Sequence, residues 1–325
     1  MARYLITGAA GFIGAQVGRQ LIADGHQVVG VDNLNDAYDV RLKHYRLERL
    51  QQLSGFFYRH VDICQRDPLQ ELFAQDGPFD AVINLAARAG VRYSVENPWS
   101  YMETNAMGAL NLLDLCRQYE TPKFVQASTS SIYGAEAPLP TPEDADSSHP
   151  LQPYAASKKA AEVLAHSYHH LYGLDVTVVR YFTVYGPAGR PDMVMFRFAQ
   201  WIAEGRTVHL NGDGNQSRGF TYVDDIARGT ILALKPVGYD IINLGGHEVI
   251  TINALIAQLE QRIGRQARVE RHPFHPADML ANLADVSKAR RLLGWNPQVG
   301  LADGITNLVD WYMTERSWAS QVLTP

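Results

Sequence analysis

A tyrosine and a lysine four residues apart, with a threonine upstream, are the residues of this sequence that most directly suggest a reaction. Tyr154 and Lys158 open a segment with helical periodicity, which predicts both side chains on one helix face. Thr129 follows an apolar run of strand length at residues 124–127. A phenol has a reference pKa of about 10, so it needs a nearby cation to act as a base at neutral pH. The three residues predict a site where Tyr154 accepts a proton from a hydroxyl group that Thr129 holds.

Three glycines at three-residue spacing lie between the first predicted strand and the first predicted helix. Gly8 allows a tight turn, Gly11 lets a pyrophosphate approach the positive helix N-terminus, and Gly14 permits close packing of helix on strand. Phe12 and Ile13 belong to the first turn of that helix. A strand, this turn and a helix in direct succession predict a dinucleotide-binding site.

An acidic residue, Asp32, ends the second predicted strand. Its carboxylate can accept hydrogen bonds from both hydroxyls of an adenosine ribose and would repel a 2′-phosphate, which predicts NAD rather than NADP. Asp62 and Ile63, at the end of the third strand, are predicted to meet the adenine. Lys43 and Arg46 allow two interpretations, solvated charges of a helix face or contacts to cofactor phosphates, of which the first is favoured.

The bound nicotinamide completes the electrostatic argument for Tyr154. Lowering the pKa of a phenol to about 7 requires roughly 4 kcal/mol of stabilisation of its anion. A lysine about 4 Å away, at an effective dielectric of about 20, provides around that amount, and the oxidised nicotinamide adds positive charge. We therefore expect Lys158 close to the Tyr154 phenol.

Strand-length apolar runs alternate with helical patterns through the first 180 residues. Strands are predicted at residues 4–7, 27–31, 56–61, 81–85, 124–127 and 176–180, and helices at 13–23, 69–73, 98–119 and 154–172. This alternation predicts an α/β fold with a doubly wound parallel sheet, the Rossmann arrangement. Beyond Tyr185 the sequence changes to short elements and Gly- and Pro-rich loops, with helices at 251–263 and 301–315, which predicts a smaller C-terminal lobe.

Composition and charge limit the partners of the chain. The 325 residues are 46% hydrophobic, and the net charge of −5 comes without a basic cluster, so nucleic acid is not expected to bind. Cys64 and Cys116 are too far apart in sequence to form a metal-binding pair and are interpreted as buried thiols in a reducing compartment. No targeting segment or membrane-spanning apolar run is found, which predicts a cytoplasmic protein without metal or membrane partner.

The sequence resembles the extended short-chain dehydrogenase/reductase family along nearly its whole length. The matching positions are residues 8–14, Asp32, 62–63, 85–87, 129–134, Tyr154, Lys158 and 212–225. The resemblance implies that residues 1–185 hold NAD and the catalytic residues, and that residues 186–325 mainly bind a nucleotide sugar, with the chain crossing between the two. Further cofactor residues implied are Asn33, Leu85, Ala86 and Ala87.

The same resemblance implies a UDP-sugar site and a homodimer. Arg218 is implied as a ligand of the diphosphate and Asp278 as a neighbour of the uridine ribose. The sequence departs from the family pattern in the segment 275–278 and at Gly219, where an aspartate is common. Asn84 stands where histidine is frequent and is interpreted as a hydrogen-bonding residue at a strand end.

Three segments, at residues 33–43, 89–94 and 185–193, resemble the family members that convert UDP-glucuronate to UDP-galacturonate by inversion at C4. Such a reaction passes through a 4-ketone β to the C6 carboxylate, so the carboxylate must be held to prevent its loss as carbon dioxide. Ser130, Ser131 and Thr183 are predicted to supply hydroxyl groups, and Arg190 a bidentate guanidinium. Arg92 is a weaker candidate and is interpreted as a structural residue or as a neighbour of a phosphate.

Alternative functions remain open at this point. A UDP-glucuronate decarboxylase begins with the same oxidation, and a UDP-glucose/galactose 4-epimerase uses the same cycle on a neutral sugar. A 4,6-dehydratase is disfavoured, because similar dehydratases carry an Asp-Glu pair where this chain has Ser130 and Ser131. A non-catalytic dinucleotide sensor belongs to a different class, since a fold alone does not determine function.

Overall fold

The strands alternate with helices in the order that the sequence predicts. The structure is a computed structural model that describes residues 1–246, 248–273 and 282–324. The strands in these ranges are β1 Arg3–Thr7, β2 Gln27–Asp32, β3 Phe56–His60, β4 Ala81–Asn84, β5 Lys123–Thr129, β6 Asp175–Tyr181, β7 Thr183–Tyr185, β8 Thr207–Asn211, β9 Ser217–Tyr222, β10 Tyr239–Leu244, β11 Glu248–Thr251 and β12 Arg268–His272.

The helices surround these strands. They are α1 Phe12–Ala23, α2 Arg41–Gln51, α3 Arg66–Asp76, α4 Val91–Glu96, α5 Pro98–Tyr101, α6 Gly108–Gln118, α7 Pro153–Tyr172, α8 Val194–Glu204, α9 Val223–Leu232, α10 Ile252–Ile263, α11 Ser287–Leu293, α12 Leu301–Thr314 and α13 Arg316–Ala319. A π-helical segment, Met102–Met107, joins α5 to α6, and a 3₁₀ turn, Ser130–Tyr133, follows β5.

One parallel sheet organises the larger part of the molecule. Its order is β10-β6-β5-β4-β1-β2-β3, and every neighbouring pair is parallel. From β1 the chain moves outward to β2 and β3 and then returns to β4 on the other side of β1. This confirms the doubly wound fold. The strand order reverses between β1 and β4, and ligands of such sheets bind at the carboxyl ends of the strands at that point.

A second apolar core lies among the later elements. It contains Phe198 and Ile202 of α8, Leu255 of α10, and Ile305 and Leu308 of α12. The small sheets here have the orders β11-β9-β7 and β12-β8. Strand β10, however, follows residue 185 and is an edge strand of the large sheet, paired with β6.

The predicted helix at residues 98–119 is interrupted in the structure. The π-helical turn Met102–Met107 widens the helix where the buried Asn105 side chain bonds to the backbone of Arg88, and π turns of this kind often lie at functional sites. The prediction of one continuous helix was wrong because periodicity alone does not register such a local widening. In the described part of the chain no helix is both long and apolar enough to cross a bilayer.

Candidate active site

The glycine turn after β1 is built by close backbone contacts. Gly8 has φ of +69°, and a Cβ there would lie 2.7 Å from the Ala86 nitrogen. A Cβ on Gly14 would lie 2.2 Å from the carbonyl oxygen of Gly8, to which the N–H of Gly11 donates at 2.9 Å. No larger residue fits at Gly8 or Gly14 without moving the backbone.

The N-terminus of α1 is open to an anion. Gly11 is its N-cap residue and provides no side-chain hydrogen bond to the first turn. The first backbone N–H groups of a helix, here those of Phe12 and Ile13, have no partner within the helix. An uncapped helix end after a tight glycine turn fits the pyrophosphate of a dinucleotide.

Asp32, the last residue of β2, is held beside this turn. Its Oδ2 accepts a hydrogen bond from the Ala10 N–H at 3.1 Å, and its Oδ1 accepts one from the Leu34 N–H at 2.8 Å. A carboxylate oxygen has two lone pairs, so both oxygens can still accept a hydrogen bond from a ribose hydroxyl. The fixed carboxylate therefore fits the adenosine ribose of NAD.

The two cations on α2 are buried, which corrects the favoured interpretation of solvated charges. Lys43 Nζ lies 3.7 Å from Asp32 Oδ1 and donates to Asn35 Oδ1 at 3.1 Å. Arg46 donates to the carbonyl oxygens of Ala10, at 3.1 Å, and of Ala188, at 3.0 Å from Nε. The face of α2 that carries them packs on the glycine turn and on the loop after β7, so the charges meet protein rather than water.

Asn33, Asp62 and Ile63 lie together at the ends of β2 and β3. Asn33 Nδ2 donates to Asp62 Oδ2 at 2.8 Å, and the Cys64 N–H donates to Asp62 Oδ1 at 2.8 Å. Burial alone would raise the pKa of Asp62, but these hydrogen bonds lower it overall. The Ile63 side chain packs in the core against Gly108, where a Cβ would lie 2.6 Å from Ile63 Cδ1. Contact of Asp62 and Ile63 with the adenine of NAD stays a prediction.

The segment Leu85, Ala86 and Ala87 passes directly over Gly8. The Leu85 N–H donates to the Thr7 carbonyl oxygen and the Ala86 N–H donates to Thr7 Oγ1, each at 3.2 Å. Thr7 Oγ1 in turn donates to Asn84 Oδ1 at 2.7 Å, and Asn84 Nδ2 donates to Gln126 Oε1 at 3.0 Å. The interpretation of Asn84 as a hydrogen-bonding residue at a strand end is confirmed.

Thr129 and Tyr154, two of the predicted catalytic residues, lie close together in the structure. Thr129 is the last residue of β5, and Tyr154 lies in the first turn of α7. The Thr129 hydroxyl lies near the Tyr154 phenol and acts to lower its pKa, while it donates a hydrogen bond to Ser131 Oγ at 3.2 Å. The Ser131 N–H donates to Thr129 Oγ1 at 3.2 Å and fixes the threonine side chain. A substrate hydroxyl near this pair would meet both an acceptor and a donor.

The Tyr154 phenol lies near a second cation, Arg190, that was not expected to act on it. Burial raises the pKa of Tyr154, and the nearby Thr129 hydroxyl and the positive charge of Arg190 partly oppose that rise. The guanidinium of Arg190 is thus a cation that favours the phenolate, in addition to the predicted Lys158. The contribution of Lys158 to the phenolate stays a prediction.

Lys158 is a buried ammonium group that needs a partner. It is 3% exposed, and burial lowers its pKa to about 8 while the charge of Glu162 opposes the change. Among the residues that the structure describes, none accepts a hydrogen bond from its Nζ. A buried charge without hydrogen bonds is costly. The hydroxyl groups of a bound nicotinamide ribose are the kind of acceptor that it lacks.

Asn105, which the sequence analysis missed, connects the cofactor side of the site to the catalytic helix. Its Oδ1 accepts from the Arg88 N–H, and its Nδ2 donates to the Arg88 carbonyl and to Ser157 Oγ, each at 2.9 Å. Ser157 donates to the carbonyl oxygen of Tyr154 at 2.8 Å. The sequence contains one signal for this role, which is an asparagine on the buried face of an amphipathic helix.

Arg190 already has a partner, Asp192. Its Nε donates to Asp192 Oδ1 at 3.0 Å, and its Nη2 pairs with the other carboxylate oxygen. A Cβ on Gly90 would lie 3.7 Å from Arg190 Nη2, so the guanidinium also borders the segment after Ala87. Asp192 was not predicted as a site residue, yet its carboxylate occupies the guanidinium fork predicted for a substrate carboxylate.

The remaining predicted substrate residues are spread around this centre. Ser130 Oγ accepts from Asn282 Nδ2 at 3.4 Å, and Thr183 begins β7 opposite Phe220 of β9. Arg218 lies on β9, and Arg92 lies exposed on α4. Asp278 lies outside the described residues. Their contacts with a substrate stay predictions.

Gly219, one of the departures from the family pattern, has a structural reason. A Cβ at this position would lie 2.4 Å from the carbonyl oxygen of Gly246. The backbone at Gly246 therefore comes too close to Gly219 for an aspartate side chain.

Comparisons with known proteins agree with this geometry. Residues 4–245 match the model of the NAD dependent epimerase/dehydratase family. A UDP-glucuronate 4-epimerase of Thermodesulfobacterium geofontis is 54% identical over 312 residues, which cover 96% of each chain. The crystal structure of UDP-glucuronic acid 4-epimerase from Bacillus cereus, in complex with UDP-glucuronic acid and NAD, has a TM-score of 0.90 at 36% identity, covering 96% of this chain and 99% of that one.

A UDP-glucose 4-epimerase of Thermotoga maritima, solved with UDP-glucose, has a TM-score of 0.89 at 32% identity, with coverage of 97% of this chain and 99% of that one. All three relatives match along nearly their whole lengths. The glycine turn, Asp32 and the pair Thr129 and Tyr154 occur within the region matched by the family model. This chain belongs to the NAD-dependent epimerase/dehydratase family, the extended branch of the short-chain dehydrogenases/reductases.

Proposed function

We infer that this chain catalyses the NAD-dependent C4 epimerisation of UDP-glucuronate to UDP-galacturonate. The observation that carries this inference is the close placement of Thr129, at the end of β5, and Tyr154, in the first turn of α7, at the carboxyl ends of the strands. The high identity to a UDP-glucuronate 4-epimerase, and the fold shared with an epimerase solved with UDP-glucuronic acid and NAD, support the substrate.

Three parts of the chain are assigned to the cofactor. The N-terminus of α1 would bind the pyrophosphate, Asp32 the adenosine ribose, and Lys158 the nicotinamide ribose. When bound, NAD accepts a hydride from C4 of the sugar and later returns it. The positive charge of the nicotinamide would add to that of Arg190 and lower the pKa of Tyr154, which burial otherwise raises.

Tyr154 is assigned the proton transfer at the sugar. Its phenolate takes the proton from the C4 hydroxyl as the electron pair of the C4–H bond leaves, which produces a 4-keto sugar. Thr129 donates a hydrogen bond to the same sugar oxygen and positions it. After the sugar turns its other ring face to the cofactor, Tyr154 returns the proton to that oxygen and the hydride re-forms the C4–H bond. The cycle consumes no oxidant, so NAD is expected to stay bound.

The 4-keto sugar must keep its carboxylate. Loss of carbon dioxide requires the breaking bond to overlap with the ketone π system, so hydrogen bonds that hold the carboxylate near the ketone plane oppose it. Ser130, Ser131 and Thr183 are proposed to provide these bonds, and Arg190 to provide the opposite charge. Since Asp192 occupies the Arg190 fork, the carboxylate would have to share the guanidinium or displace Asp192.

That ion pair also supports a second candidate, a 4-epimerase of UDP-glucose. A guanidinium already neutralised by Asp192 does not require an anionic sugar, and the Thermotoga maritima neighbour was solved with UDP-glucose. The two substrates can therefore be compared in one assay.

The test is to incubate the purified protein with UDP-glucuronate or UDP-glucose without added NAD and to separate the sugar products. UDP-galacturonate as the main product is the expected result. A UDP-pentose with released carbon dioxide would instead identify a decarboxylase, and stoichiometric NADH a simple dehydrogenase. If neither sugar changes while NAD remains bound, the chain is a dinucleotide sensor.

The quaternary structure and location are part of the same proposal. Helices α5 to α7 expose Trp99, Met102, Met107, Leu171 and Tyr172, an apolar surface suited to pairing with a second copy of the chain. Light scattering after size-exclusion chromatography should give the mass of a homodimer.

Cys64 and Cys116 form no disulfide, in keeping with a cytoplasmic location. We also propose the division into an NAD-binding part, residues 1–185, and a nucleotide-sugar part, residues 186–325.

A further inference from the structure

Two histidines and a glutamate lie together on the small sheet of β8 and β12, a part of the fold that the proposed reaction does not use. The two strands are parallel, and Glu270 of β12 pairs with His209 of β8. His272 follows Glu270 by two residues, so its side chain lies on the same face of the strand.

The distances between their donor atoms match those of a metal site. His209 Nδ1 lies 3.0 Å from His272 Nε2 and 3.8 Å from Glu270 Oε2, while His272 Nε2 lies 3.6 Å from Glu270 Oε1. Around a tetrahedral Zn²⁺, with bonds of about 2.0–2.2 Å, neighbouring ligand atoms are about 3.3 Å apart. The three groups thus need to move only a few tenths of an ångström to coordinate one ion.

We propose that His209, Glu270 and His272 bind a divalent transition-metal ion of the Zn²⁺ class. Imidazole nitrogen with a carboxylate oxygen is a donor set that suits Zn²⁺, whereas Mg²⁺ and Ca²⁺ prefer oxygen ligands alone. The side chains of His209, Glu270 and His272 are 51%, 59% and 39% exposed, so an ion can reach them from solvent. Water would complete the coordination.

The proposed ion has a structural role. A two-stranded sheet is weakly stable by itself, and most residues of β12 are exposed. An ion held by one residue of β8 and two of β12 joins strands whose ligands are 63 residues apart in sequence. The proposed metal site also lies next to the segment that leads to Arg218, because the N–H of Gly212 donates to the His272 carbonyl at 2.8 Å. Its openness to solvent argues against a catalytic metal.

Cobalt is the probe for this site, because the visible spectrum of Co²⁺ reports its coordination geometry. The full chain, purified without a polyhistidine tag and freed of metal with a chelator, is titrated with Co²⁺ and then with Zn²⁺. We expect one equivalent of Co²⁺ with a four-coordinate spectrum, which Zn²⁺ displaces. Saturating Zn²⁺ should also raise the melting temperature by about 2–5 °C.

The variants are His272→Ala, Glu270→Gln and the double variant His209→Ala/His272→Ala. Each should weaken Co²⁺ binding, the double variant by at least about 100-fold. The matched control is His149→Ala, which removes another exposed histidine hydrogen-bonded to an acidic neighbour, Asp146. It should bind Co²⁺ like the unchanged chain. Because all four substitutions lie on exposed side chains, circular dichroism is expected to find each variant folded.

The proposal is overturned if the unchanged chain binds no Co²⁺, or binds it only with a six-coordinate spectrum. It is also overturned if the double variant and the unchanged chain bind the same amount with equal affinity, since the ion would then occupy other residues. Loss of binding in the double variant but not in His149→Ala supports it. This result does not depend on whether the chain is an epimerase.

Discussion

The hydroxyl group of Thr129, at the end of β5, lies close enough to the Tyr154 phenol, at the start of α7, to act on its pKa. Twenty-five positions separate them in the sequence, yet the parallel strand and the helix bring both groups to the same edge of the sheet. Thr129 and the Arg190 charge both act to lower the pKa of the phenol that the proposed reaction uses as its base, against the rise caused by burial.

Replacement of Tyr154 by phenylalanine should lower kcat for UDP-galacturonate formation by at least about 10²-fold, because no group remains to take the C4 hydroxyl proton. Binding of UDP-glucuronate, measured by calorimetry, should change little. The control is Tyr181→Phe, which removes a partly buried phenol hydroxyl that shares a hydrogen bond with Thr230. Near-normal turnover in Tyr154→Phe would remove Tyr154 from the mechanism.

Lys158→Met should stabilise the nucleotide-free protein at pH 7, because burial lowers the Lys158 pKa from its ordinary value of 10.5 to about 8. A lysine with a lowered folded-state pKa destabilises the fold while it is protonated in both states, so its cost is full below pH 8 and disappears as the pH rises to about 10.5. The gain at pH 7 is at most about 3 kcal/mol. Urea unfolding of both proteins at pH 7 and pH 10 measures it, and an equal difference at the two pH values contradicts the assigned pKa.

The same substitution should weaken NAD retention, since Lys158 is assigned to the nicotinamide ribose. The fraction of protein that keeps NAD through gel filtration, read from absorbance after denaturation, should fall relative to Lys159→Met. Lys159 donates to Ser147 Oγ at 2.7 Å and has no assigned cofactor contact. Equal retention in the two variants would argue against the ribose assignment.

Asn105→Ala should both destabilise the protein and release NAD. The substitution leaves the backbone N–H and carbonyl of Arg88 without their partner, at a cost of about 1–3 kcal/mol each, and frees the segment that lies over Gly8. Gln200→Ala is the matched control, because Gln200 is a buried amide that donates to two backbone carbonyls in the other core. Both variants should melt at lower temperatures, but only Asn105→Ala should lose NAD. If both retain NAD equally, Asn105 has only a structural role.

Arg190→Ala should reduce selectivity for the charged sugar. Hydrogen bonds to a charged group contribute about 1.5–3 kcal/mol, so the ratio of kcat/KM for UDP-glucuronate to that for UDP-glucose should fall by about 10–100-fold. Arg92→Ala, which removes an exposed arginine of α4, is the comparison. An unchanged ratio in Arg190→Ala, or the larger effect in Arg92→Ala, would assign carboxylate recognition elsewhere.

Local sequence patterns were sufficient for the elements whose information lies within a few residues. The glycine spacing predicted the turn after β1, the alternation of apolar runs predicted the parallel sheet, and the spacing of Tyr154 and Lys158 predicted a shared helix face. These predictions succeed because chain geometry repeats at short range, with period 2 in strands and 3.6 in helices.

The tertiary structure decided the side-chain contacts of the site. The ion pair of Arg190 with Asp192, the buried Lys158 ammonium and the bonds of Asn105 to Arg88 depend on side-chain directions that no local pattern contains. His209 and His272 meet only because β8 pairs with β12. Spacing along a strand or helix predicts which residues share one face. The ionisation state and the hydrogen bonds of a side chain on that face depend on the residues that pack against it, and only the assembled fold determines those residues.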